Sequence, residues 1–149
     1  TCMVNRDGNQ KGDNDLNPTC WDAEGSRTIV PVMLRVGELI ARSASAEEIQ
    51  PDIEGGFASG KFSSPTKAGI AYMLKGDLLF DPQTRQIAKM IAPPHYMIYS
   101  PGVSNADIGM DPKPANSKFV LPKITTNYSG GSRTAYIIIW AAPNEAHGH

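Results

Sequence analysis

The apolar positions of this chain change their period part-way along it. Residues 1–26 (TCMVNRDGNQKGDNDLNPTCWDAEGS) show no apolar period and are dense in Asn, Asp and Gly. Such side chains bond nearby backbone and tolerate left-handed conformations, so the segment reads as a long loop. Asn17-Pro18 is placed to cap a short helical turn across Cys20 and Trp21. From Pro31 to about Arg42, Val32, Val36, Leu39 and Ile40 recur at helical spacing, with Arg35, Glu38 and Arg42 on the opposite side. Pro31 is tolerated in the first turn and so marks the start, while Gly37 weakens the interior by about 1 kcal/mol relative to Ala. A second helix opens on Ser45-Ala-Glu-Glu48, the pattern of a capping box. It places Ile49, Ile53 and Phe57 on one face and can end at Gly60; Pro51 is expected to kink or split it.

After Ala68 the pattern shortens to strands. Gly69-Ile-Ala-Tyr-Met-Leu74 is one. Leu78-Leu-Phe80 and Gln86-Ile-Ala-Lys-Met-Ile91 flank Asp81-Pro-Gln-Thr84, a type I turn with Pro at its second position, and so predict a hairpin. His95-Tyr-Met-Ile-Tyr99 is a further strand with His95, Met97 and Tyr99 on one face and Tyr96 and Ile98 on the other. Residues 100–122 read as a surface excursion. Ile124–Tyr128 and Thr134–Ala141, joined through Ser129-Gly-Gly-Ser132, form the clearest hairpin, and residues 143–149 read as a tail. Together these elements predict one α+β domain over residues 1–149. It comprises a loop segment (1–26), a helical segment (27–60), antiparallel strands (68–142) and the tail. Two N-terminal helices are expected to cover one face of a sheet of about four to six strands.

Composition narrows the class. Of 149 residues, 40% are hydrophobic and 19% charged, within the range of a folded globular domain. The longest apolar run, Tyr136–Ala142, is far short of the about 20 residues a membrane-spanning helix needs. The net charge of −1 divides into an acidic first 60 residues and a thinly basic remainder without a Lys/Arg run. A nucleic-acid partner calls for a basic stripe, and none is present. The two cysteines, Cys2 and Cys20, sit close together in the front segment. Paired, they close a loop worth about 3 kcal/mol in the chain-entropy model and point to the periplasm or the extracellular space. Two free thiols in a cytosolic protein, or a lipid anchor on Cys2, are the alternatives. The chain begins at Thr1 and shows no signal-peptide pattern; cleavage upstream of Thr1 accounts for that, as does trimming.

Candidate chemistry centres on histidine. His95 shares a strand face with Met97, and His147 and His149 stand at the end of the chain; His with Met suits copper. The face His95, Met97, Tyr99, together with Asp107 from the following loop, is a candidate ligand-binding wall. Asp13-x-Asp15-x-Asn17 with Glu24 at the twelfth position has the ligand spacing of an EF-hand calcium loop, but Pro18 stands where the sharp turn needs Gly. No Gly-x-Ser-x-Gly elbow surrounds Ser59 or any other serine. Ser129-Gly-Gly-Ser132 lacks the lysine of a phosphate loop and reads as a hairpin turn. Glu47 and Glu48 suit a helix N-terminus and need no catalytic role. No catalytic residue is assigned, and no cofactor beyond that possible metal ion.

Three segments carry a resemblance: Gly69-Ile-Ala-Tyr-Met-Leu-Lys-Gly-Asp77; Pro93-Pro-His-Tyr-Met-Ile-Tyr-Ser-Pro101 with Asn105-Ala-Asp-Ile-Gly109; and Ala135-Tyr-Ile-Ile-Ile-Trp140. They resemble a group of uncharacterised bacterial secreted proteins, whose front segments are similar to Thr1-Cys2-Met3 and Asn17-Pro-Thr-Cys-Trp-Asp22. The resemblance implies export and no particular activity. The similar sequences extend further upstream, which implies an additional first strand. The expectation is a secreted or periplasmic domain that binds something or belongs to the cell envelope without catalysing a reaction. The alternative is a metal-binding protein or small enzyme built around His95. Assembly through open sheet edges is a further expectation.

Overall fold

The computed structural model describes residues 1–5, 15–110, 123–125 and 131–141. In chain order the described elements are β1 (Cys2–Asn5), β2 (Asp15–Trp21), α1 (Ala23–Thr28), α2 (Val30–Ala41), α3 (Ala46–Ala58), β3 (Ile70–Met73), β4 (Asp77–Asp81), β5 (Gln86–Ala92), β6 (His95–Tyr99), β7 (Lys123–Thr125), a 3-10 helix (Gly131–Thr134) and β8 (Tyr136–Trp140). All described pairings are antiparallel. The sheet runs β5-β4-β2-β3-β6-β8-β7, with β1 added beside β2. The protein is α+β with a disulfide-tied front segment, as the sequence predicts.

The front segment is where expectation and structure part. The stretch read as a loop supplies β1, β2 and α1, which takes the described sheet to eight strands rather than four to six. It also sets two strands ahead of the helices. Cys20 and Trp21 lie in β2, not in a helical turn. The reason is tertiary: Asn17, Thr19 and Trp21 alternate inward and are buried, and strand preference yields readily to such packing. Cys2 and Cys20 stand directly opposite each other across β1 and β2 and are disulfide-bonded.

Helix signals are obeyed closely. Pro31 falls at the start of α2. Glu48 accepts a hydrogen bond from the Ser45 N–H at 2.8 Å at the head of α3, and α3 continues through Pro51 to end before Gly60, whose φ is +75°. Two cores result. Ile29, Val30 and Met33 pack with Trp21, Ala71, Met97, Tyr99 and Ile138 of the sheet. Val32 and Val36 on α2 instead meet Ile49, Ile53 and Phe62. Thus the start of α2 seals the inner face of the sheet, while α3 joins it through α2. The Arg35 guanidinium clamps the Asp52 carboxylate between α2 and α3, at 2.8 and 2.7 Å.

The first predicted hairpin forms, and the strands of the second pair in part: residues 126–130 lie outside the described residues, and Gly131–Thr134 is a 3-10 helix. β4 and β5 pair around a turn in which the Asp81 carboxylate accepts from the N–H groups of Gln83 and Thr84. β7 and β8 pair with the 3-10 helix between them in the chain.

One interruption shapes β2. Trp21 N–H donates to the Thr1 carbonyl at 2.7 Å, so odd residues of β2 turn their backbone groups toward β1 and even residues toward β3. Pro18 is even and has no N–H to give. The β2–β3 ladder accordingly runs through Trp21↔Ala71 and Cys20↔Tyr72 and stops. Beyond the gap β4 takes over, at Leu16↔Leu78 and Asp15↔Leu79. Beside Pro18, Asn17 is buried with both side-chain amide atoms unpartnered. An unsatisfied buried polar group costs about 1–3 kcal/mol.

Two measurements check this account. The unreduced chain should show no free thiol, and replacing Cys2 and Cys20 together by Ser should lower unfolding free energy by about 2–4 kcal/mol in a denaturant titration. Asn17→Leu should raise the denaturation midpoint, because it removes two unsatisfied groups at similar volume; a lower midpoint refutes the reading of Asn17.

Candidate functional site

The alternation of β6 sends His95, Met97 and Tyr99 to the inner face, where all three are buried, and Tyr96 and Ile98 outward. His95 is 3% exposed. Its Nδ1 lies 2.8 Å from the Pro93 carbonyl, which makes Nδ1 the protonated nitrogen. The ring stands edge-on to Trp140, with centroids 5.2 Å apart. Met97 sits in register between Ala71 and Ile138. These two side chains are core, not a cleft wall.

Tyr99 belongs to a polar network inside the fold. Its hydroxyl lies 2.8 Å from both the Asp22 carboxylate and the Ile70 carbonyl and donates toward both. Burial first, then the hydrogen bond to Asp22 and its charge, pushes its pKa well above the ordinary tyrosine value. Asp22 also caps α1 by accepting from the Gly25 N–H at 2.9 Å, and its other oxygen accepts from the Ile70 N–H at 2.9 Å. Burial raises the Asp22 pKa, but the Gly25, Ile70 and Tyr99 hydrogen bonds outweigh it and hold the carboxyl below its usual value. The packing leaves no room for a side chain at two glycines. A Cβ on Gly25 would lie 2.1 Å from the Tyr99 hydroxyl, and one on Gly69 would lie 2.4 Å from the Asp22 carboxylate. Nearby, the Trp21 indole donates to the Tyr136 hydroxyl at 3.2 Å.

Asp107 does not join the other three. It is exposed, and its carboxylate accepts from the N–H and hydroxyl of Ser104 at 2.8 and 2.7 Å. Those bonds lower its pKa and make it a turn residue. Of the histidine set, His147 and His149 lie outside the described residues. Among the described residues no group of three or more His, Cys, Asp or Glu is placed to hold a metal ion. The EF-hand spacing is overturned: Asp15 and Asn17 lie in β2 with Asn17 buried, and Asp13 is outside the described residues. Glu24 lies in α1, accepting from the Thr66 N–H at 2.7 Å and from Arg27 at 2.7 Å. The Thr66 bond, then Arg27, lowers the Glu24 pKa to about 2.

The surface left open lies on the other face of the same strands. Ile70, Ile98, Ile137 and Ile124 stand in one cross-strand row, and Cys20, Tyr72, Tyr96 and Ile139 in the next. Ile70, Tyr96, Ile98 and Ile139 are between 36% and 40% exposed, and neither row contains a charged residue. A solvent-facing side of an antiparallel sheet is ordinarily polar, and a contiguous apolar patch is a mark of an interaction site. The alternation of β6 already separated these faces in the sequence; the cross-strand register that aligns them was not legible there.

No protein-family model, curated protein or solved structure matches this chain. No helix among the described residues is long and apolar enough to cross a membrane.

The inner network yields a test. Asp22→Ala removes a helix cap and two further hydrogen bonds, and should cost about 2–3 kcal/mol. Because the folded pKa of Asp22 is depressed, its stabilisation is complete above the unfolded value near 3.8 and is lost as pH falls through the lower folded value. Asp22→Asn should therefore flatten the acid limb of the stability–pH curve; an unchanged limb rules the role out.

Proposed function

We propose that this chain is a non-enzymatic binding domain that works outside the reducing cytosol, in the periplasm or beyond the cell. It engages its ligand through the outer face of the sheet. The observation that carries this reading is the pair of uncharged apolar rows, Ile70-Ile98-Ile137-Ile124 and Cys20-Tyr72-Tyr96-Ile139. Burying such a surface is favourable by about 25 cal/mol per Å², and nothing in the described fold covers Ile70, Tyr96, Ile98 or Ile139 fully. The Cys2–Cys20 bridge fits an oxidising compartment, and the resemblance to bacterial secreted proteins points the same way. Within the site expected from sequence, His95, Met97 and Tyr99 are buried in the core or its hydrogen bonds, which favours binding over catalysis there.

Assembly of copies through a sheet edge is the lesser part of the proposal. β5 is an edge strand with Ile87, Met90 and Ile91 exposed. Lys89 stands at its centre, and antiparallel self-pairing about that centre sets Lys89 beside its own copy, which is unfavourable.

The test uses the uncharged apolar dye Nile red on the folded, unreduced protein. Saturable binding is expected, weakened at least five-fold by the double replacement Ile70→Ser with Ile98→Ser. The melting temperature should stay within a few degrees, because both side chains are exposed. Dye binding that is absent, or indifferent to that replacement, overturns the reading.

A further inference from the structure

The gap that Pro18 opens between β2 and β3 is also a groove of about 340 Å³. Its walls follow from strand parity. Cys2 and Val4 on β1, Pro18 and Cys20 on β2, and Tyr72 and Leu74 along β3 and its turn line it together. The groove therefore adjoins the outer apolar face and shares Cys20 and Tyr72 with it. Its floor includes the disulfide, which cannot rearrange without breaking a covalent bond. The turn that closes one end is fixed by Gly76, at φ +64°, where a Cβ would lie 1.9 Å from the Ala92 carbonyl.

Three properties select an occupant. The volume falls at the small end of ligand pockets. The lining is overwhelmingly apolar, and among the described residues its one charged residue is the Lys75 cation. Lys75 is exposed and has no carboxylate partner among the described residues. A groove with an apolar trough and a single cation at its rim matches a molecule with an apolar body and one anionic end.

Other occupants fit less well. A peptide strand needs a run of free ladder positions, and the gap spans Asn17 to Thr19 between the β3 and β4 pairings. A second copy needs about 800 Å² per partner, whereas the two outer rows, one above the other, span five strands, about 19 Å between outermost strand axes.

We propose that the groove between β2 and the β3–β4 turn binds a free single-chain amphiphile with an anionic head, of the alkyl carboxylate class. The tail lies against the disulfide, Val4, Pro18 and Leu74, and the carboxylate pairs with Lys75. The proposal rests on reading the outer face as a binding surface, and narrows it to one ligand class.

The experiment titrates the unreduced protein by calorimetry with dodecanoate and with dodecyltrimethylammonium, each below its micelle-forming concentration. One equivalent of dodecanoate should bind at least ten-fold more tightly than the cation of equal chain length. Lys75→Glu should reverse that order, and Leu74→Asp should weaken both at least ten-fold. Both side chains are exposed, so circular dichroism should remain that of the unsubstituted protein, and Lys75→Glu alone decides the head-group assignment. Equal affinity for the two amphiphiles, an unchanged preference in Lys75→Glu, or no saturable binding overturns the proposal. So does ligand-free dimerisation that Leu74→Asp abolishes, which assigns the groove to a second copy. If dodecanoate fails while Nile red still responds to the Ile70/Ile98 replacement, the groove proposal falls and the outer-face reading stands.

Discussion

The Asp22 carboxylate is the point through which four elements of this fold are registered. It stands at the end of β2, caps α1 through the Gly25 N–H, holds the start of β3 through the Ile70 N–H, and meets the Tyr99 hydroxyl at the end of β6. A charged acceptor with several donors is stronger than the same number of neutral bonds. It also specifies direction: the chain must leave β2, turn into a helix and return beside itself for these donors to converge. Gly25 and Gly69 are the complement of that convergence, since a methyl group at either position would occupy space held by Tyr99 or by Asp22 itself.

With that junction fixed, the two faces of the sheet acquire different fates. The inner face takes Trp21, Ala71, Met97 and Ile138 under the start of α2. The outer face is nearly as apolar along its two central rows but has no helical layer over them among the described residues. Pro18 adds a second asymmetry by ending one ladder early, so that the disulfide and the β3–β4 turn flank a trough instead of a closed sheet. The apolar character of the surface is thus continuous from strand rows to trough.

Much of this was legible from residue order alone, where local rules govern. Pro31, the Ser45–Glu48 box and Gly60 set helix limits through backbone chemistry that acts within a few residues. The faces of β6 followed from a period of two. The front segment was not legible, because the alternation of Asn17, Thr19 and Trp21 gains its meaning only when the strand buries them, with β1 on one side and β3, about 50 positions later, on the other. The site around His95 misled for a related reason. His95, Met97 and Tyr99 do share a face, but sequence does not say whether a face looks toward solvent or toward a helix. Asp107 lies close to them in the chain, yet its partner is Ser104, three residues away.

The position of β2 also governs the order in which the molecule can close. Trp21 meets Tyr136 across 115 positions, and Asp22 meets Tyr99 across 77. A chain emerging from its N-terminus has its first strands available long before their neighbours exist. Loop-closure entropy must be overcome before such distant contacts can form, and topologies of this kind fold slowly. The link between Cys2 and Cys20, by contrast, spans only 18 positions. Like the β1–β2 ladder that it braces, it needs nothing from the rest of the chain. A preformed β1–β2 ribbon would then serve as the template on which the later strands assemble, making the bridge an early step in folding as well as a brace for the finished fold.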